Sequence, residues 1–105
     1  MSTERLFGLP VAAVEKMRSV FARWPQIEKV ILYGSRAKGN FKNGSDIDLT
    51  MIGSGLHLQL LWKVDDELDD LLLPWMIDLS IYDLISNAAL REHIERVGQI
   101  IYQKA

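Results

Sequence analysis

Hydrophobic spacing divides the chain into alternating helical and extended stretches. After a lead, Met1 to Pro10, with no clear period, Val11, Val14, Phe21 and Trp24 recur near helical spacing. Pro10 suits a first helical turn and Pro25 stops the pattern, so the spacing predicts a helix over about Pro10 to Arg23. The run Lys29-Val30-Ile31-Leu32-Tyr33 is β-branched and aromatic, ends at Gly34, and reads as a buried central strand. Between Gly34 and Ser45 the glycines, asparagines and cations predict a loop with room for one helical turn. Asp46 to Ile52 then alternates, with Ile47, Leu49 and Met51 on one face and Asp46, Asp48 and Thr50 on the other, which predicts a strand with one carboxylate face.

Farther along, Leu61, Val64, Leu68 and Leu71 follow helical spacing inside a helix expected over Leu56 to Leu73 and ended by Pro74. A strand over about Trp75 to Tyr82 puts Asp78 on its polar face. Ser86 or Asn87 caps a third helix through Val97, with Leu90, Ile94 and Val97 as its inner stripe and Gly98 at its end, and Gln99 to Tyr102 is a candidate last strand. The element order implies an α+β fold with a small mixed sheet of three or four strands flanked by helices. With no repeat, linker or low-complexity tract, residues 1–105 are expected to form a single domain.

Composition narrows the functional classes. The 105 residues are 49% hydrophobic and 25% charged, an ordinary globular balance. Twelve basic residues against fourteen acidic ones leave a net charge of -2, which argues against direct nucleic-acid binding or attachment to an anionic membrane by charge alone. The absence of cysteine excludes disulfides, thiol nucleophiles and Cys-ligated zinc. No signal-like or membrane-spanning run stands out, so a cytoplasmic protein is expected.

The chemistry concentrates in Gly34-Ser35, Asp46-Ile47-Asp48 and Asp78. Asp46 and Asp48, two apart on a strand, leave the same face about 7 Å apart. Carboxylates held that close repel unless a cation or proton lies between them. Oxygen ligands without His or Cys suit a hard cation, Mg²⁺ or Mn²⁺, and Asp78 on a neighbouring strand would complete a cluster that assists displacement at phosphorus. Gly34 and Gly39 let backbone approach a polyphosphate, Ser35 offers a hydroxyl and an amide, and Arg36, Lys38 and Lys42 offer charge. No Gly-Lys-Ser/Thr closes the loop, which argues against a Walker-type ATPase. His57 and His93, without triad or ligand partners, read as surface residues, Tyr33 as core, and the acidic run Asp65 to Asp70 as a solvated helix face.

Gly34-Ser35-Arg36-Ala37-Lys38-Gly39, Ser45-Asp46-Ile47-Asp48-Leu49 and Ile77-Asp78-Leu79 resemble the three signature elements of the polymerase-β-type nucleotidyltransferase superfamily, most closely its minimal nucleotidyltransferases, the MNT proteins. Lys38 stands where the family commonly has Arg, which keeps the charge but loses the bidentate fork. The resemblance implies a polymerase-β-like fold, transfer of NMP, with AMP from ATP the expected case, to a hydroxyl, Asp46, Asp48 and Asp78 as metal-binding and catalytic residues, and Gly34, Ser35, Arg36 and Lys38 as nucleotide-binding residues. It further implies an antitoxin that pairs with a HEPN ribonuclease toxin and adds AMP to a toxin tyrosine. Two other readings stay open: an antitoxin acting by binding alone, and the catalytic subunit of a nucleotidyltransferase for a small aminoglycoside-like alcohol.

Overall fold

The computed structural model describes residues 5–105; Met1 to Glu4, part of the unassigned lead, lie outside them. The rest of the lead is a small antiparallel hairpin, β1 (Arg5–Leu6) and β2 (Leu9–Pro10), turned by Phe7 and Gly8 at positive φ. The order then runs α1 (Val11–Ala22), β3 (Lys29–Tyr33), α2 (Ser35–Lys38), β4 (Ile47–Ile52), α3 (Leu58–Asp69), β5 (Ile77–Ile81), a 3-10 turn at Tyr82–Leu84, α4 (Ala88–Val97) and β6 (Gln99–Gln103).

The four long strands form one mixed sheet in the order β5-β4-β3-β6. β3 pairs antiparallel with β4 and β6, whereas β4 and β5 run parallel. The parallel pair demands a crossover, and α3 supplies it. Period-2 alternation sends Ile47, Leu49 and Met51 of β4 and Val30 and Leu32 of β3 into the main core, where they meet Val14, Met17 and Phe21 of α1 and Leu60, Val64 and Leu68 of α3. α4 covers part of the opposite face, where Gly98 at its end lies so close to Ile31 that a Cβ would strike both Ile31 Cγ2 and the Ile94 carbonyl.

Helix boundaries are set by caps. Asn87 accepts the Leu90 N–H at 3.0 Å and starts α4. His57, expected as a plain surface residue, caps α3 by accepting the Leu60 N–H on Nδ1 at 3.2 Å. α3 stops at Asp69, short of the Leu73 expected, and Leu72 follows at φ 55. Among the described residues no helix is long and apolar enough to cross a membrane.

Candidate active site: a carboxylate row beside a glycine turn

Register brings the candidate carboxylates together. Asp48 of β4 pairs in register with Asp78 of β5, so two side chains thirty positions apart in sequence leave the same sheet face about one strand spacing, 4.8 Å, apart. Tyr33 of β3 is the partner of Asp48 on its other side. One row of the sheet therefore reads Asp78, Asp48, Tyr33. Asp46 lies just before β4, and both Asp46 and Asp78 are exposed while Asp48 is half-buried between them.

Electrostatics follow from that row. Burial raises the Asp48 carboxyl above the usual carboxylate range, and the nearby Asp78 and Asp46 charges push it in the same direction, with His93 opposing. Tyr33 is also raised, first by burial, against a Ser80 hydrogen bond, with Asp78 and Asp48 adding repulsion. Even Asp65 on α3 is raised, by burial first, then by Asp69, Asp66 and Asp78, so the acidic helix face lies within reach of the same field.

The donor set is oxygen throughout and Asp48 is a carboxylate whose ionisation is opposed by its neighbours, which fits a hard divalent cation. Among the described residues no three carboxylate or imidazole groups already close to a spacing that holds a metal ion. Asp46 and Asp78, being exposed, are the groups free to turn onto Asp48.

The glycine turn lies against this row. Gly34 joins β3 to α2 at φ 75 and ψ -155, a backbone state open to glycine, and a Cβ there would collide with Asp48 Oδ2. Gly39, expected to make room for phosphate, ends α2 in the left-handed region at φ 86, with nothing within 4 Å of its Cβ position. Ser35 is half-buried; Lys38 and Lys42 are exposed and make no ion pair among the described residues.

Arg36 departs from its expected role as a phosphate ligand. It is 2% exposed, and its guanidinium donates to the carbonyl oxygens of Ser45, Phe7 and Asn43 at 3.0 to 3.2 Å. Its Cζ also lies 5.0 Å from the Phe41 ring centroid and 5.8 Å from that of Trp75. With its fork spent on carbonyls, Arg36 ties α2 to the loop 39–45 and to the hairpin turn, and so braces the chain just before Asp46. Trp75 braces the same loop by donating Nε1–H to the Asn43 carbonyl at 3.0 Å.

Two residues that sequence reasoning kept out of the site belong to its surroundings. Tyr33 is buried yet faces the carboxylate row, a placement its strand alternation already contained. His93 is half-buried on α4, accepts the Gly34 N–H on Nε2 at 3.2 Å and sits edge-on to the Tyr33 ring at 6.2 Å. Fifty-nine residues separate it from Gly34, so no local motif could have pointed to it.

A mixed sheet with Asp48 and Asp78 on adjacent strands and a glycine turn against them defines a nucleotidyltransferase fold. Residues 15–105 match the polymerase beta nucleotidyltransferase family, and the chain belongs to it. No curated protein matches the chain in sequence. Solved structures share its fold. A chain of a toxin-antitoxin crystal structure with AMP-PNP superposes with a TM-score of 0.68 at 20% identity, over 91% of this chain and 75% of that one. A chain of the Shewanella oneidensis complex of tri-AMPylated HEPN toxin with MNT antitoxin gives 0.67 at 17% identity, over 90% and 72%. A nucleotidyltransferase from Sulfolobus solfataricus, assigned that function provisionally, gives 0.50 at 15% identity, over 99% and 94%.

Proposed function

We propose that this chain is the antitoxin of a HEPN/MNT pair and transfers AMP from ATP to a tyrosine hydroxyl of its HEPN partner. The register pairing of Asp48 with Asp78, with Gly34 packed against Asp48, is the observation that carries the reading. The fold shared with the AMP-PNP and tri-AMPylated-toxin complexes supports both the nucleotide and the kind of acceptor.

In this reading Asp46, Asp48 and Asp78 hold Mg²⁺ or Mn²⁺. The bound cation supplies charge neutralisation on the triphosphate and lowers the barrier for displacement at the α-phosphorus. Ser35 meets phosphate oxygens with its amide and hydroxyl, and Lys38 and Lys42 contribute charge at the loop surface. The acceptor oxygen forms a bond to the α-phosphorus as the bond to the bridging oxygen breaks, pyrophosphate leaves with the electron pair, and the hydroxyl proton passes to Asp78 or to solvent. β5 is an edge strand, so Asp78 is approachable from outside the sheet, as a macromolecular acceptor requires.

The test is the purified chain with α-labelled ATP, Mg²⁺ and a purified HEPN protein, taken from the neighbouring reading frame where one is encoded. Label on the partner that disappears with Asp46→Asn and Asp48→Asn is the expected outcome. Label that persists at full level in both variants overturns the assignment. Toxin neutralisation that survives both variants without labelling turns the reading to an antitoxin acting by binding alone.

A further inference from the structure

The Gly34 N–H lies just past the end of the β3 ladder, whose last pairing is Tyr33 with Asp48, so no strand takes its hydrogen. His93 takes it instead. The imidazole is carried by a helix that is itself fixed in place. The ring rests edge-on against Tyr33, it projects from α4 one residue before the buried Ile94, and α4 is pinned at its start by the Asn87 cap and by Arg91, which donates to the carbonyls of Tyr82 and Ile85 at 3.1 Å. α4 follows the strand that carries Asp78, so this contact ties the acceptor side of the sheet to the glycine turn on the nucleotide side.

We propose that His93 is a positioning residue of the nucleotide site, the acceptor that holds the Gly34 backbone in the positive-φ form the turn needs beside Asp48. The inference rests on the nucleotidyltransferase reading of that turn. It has a definite corollary: the Gly34 amide is committed to imidazole, and phosphate is met by Ser35 rather than by Gly34. A histidine that merely filled space would make no such demand. A histidine that competed with phosphate for the amide would weaken nucleotide binding, so its removal would tighten it. The sign of the change separates these cases.

The experiment measures ATP binding to the full chain by titration calorimetry with Mg²⁺ present, in the wild type and in His93→Ala and His93→Gln, alongside KM and kcat for transfer. Losing a hydrogen bond that orders the turn weakens ATP binding and raises KM by about five- to tenfold in His93→Ala, with kcat changed less. Gln, whose side-chain carbonyl reaches a similar point, recovers most of the affinity. In amide exchange followed by NMR, Gly34 loses protection in His93→Ala and regains it in His93→Gln. Unchanged or tighter ATP binding in His93→Ala, or a Gly34 amide equally protected in wild type and alanine variant, overturns the proposal and leaves the nucleotidyltransferase reading standing. Should the alanine variant fail to fold, the glutamine variant decides: affinity within twofold of wild type supports the role, and a tenfold loss with Gly34 still protected overturns it. A wild-type chain that binds no ATP with Mg²⁺ refutes both together.

Discussion

Replacing Asp48 by Asn removes the most embedded charge of the carboxylate row while keeping its shape. Asp48 has Asp78 beside it in register and Asp46 two residues away on the same face. A like-charge pair about 6 Å apart at an effective dielectric of about 40 repels by about 1.4 kcal/mol. Both neighbours are exposed, so solvent and salt reduce the combined repulsion to about 1 kcal/mol. Burial opposes the charge as well and is the largest cause of the raised carboxyl. Without divalent metal, Asp48→Asn therefore melts about 4 °C higher than wild type at pH 7, by the size scaling for a domain of this length. The sign with pH follows from the raised folded value. The folded state keeps the Asp48 proton longer than the unfolded chain does, so wild-type stability falls as pH rises from about 4 through that raised value. The advantage of the amide variant grows over the same interval and vanishes below it. Adding Mg²⁺ reverses the order, because only the wild type gains by binding it. Thermal melts at pH 3.5 and 7, with and without 5 mM Mg²⁺ (a test concentration, about that of ordinary assays), check all of this. An Asp48→Asn variant that melts below wild type at pH 7 without metal would refute the repulsion argument.

Gly34→Ala strains a position at φ 75 and drives a methyl into Asp48, so AMP transfer falls to background while the melting temperature drops by several degrees; a labelled-transfer assay with a parallel melt reads both. Arg36→Met strips the buried fork from three carbonyls and costs about 3 kcal/mol, a loss of roughly 10 °C or more in the melt, with ATP affinity lost as the loop into Asp46 loosens. Trp62→Ser, at a side chain 60% exposed on α3, shifts stability by less than about 0.5 kcal/mol, and a larger fall would mean that the exposed face of α3 packs more tightly than described.

The long elements could be read from the chain because each has one dominant period. The buried run Lys29–Tyr33 and the alternation through Ile47–Ile52 recur as strands, and the helical stripes recur as α1, α3 and α4. That the two aspartate strands are neighbours was legible, but their register was not, since register is set by tertiary packing. Arg36 misled for a physical reason: a cation in a glycine-rich loop has the same sequence signature whether it points at phosphate or folds back onto carbonyls. The His93 contact spans two elements that no periodicity links, and His57 gave no sign of its cap because histidine is an uncommon residue at that position. The hairpin at Arg5–Pro10 is too short for alternation to register.

The parallel pairing of β4 and β5 has a consequence for biogenesis. The hairpin of β3 and β4 can form from neighbouring residues, but Asp78 joins it only after the crossover through α3 has docked and the outermost strand has zipped on. A nascent or partly unzipped chain thus carries Asp46 and Asp48 without the third carboxylate of the proposed site.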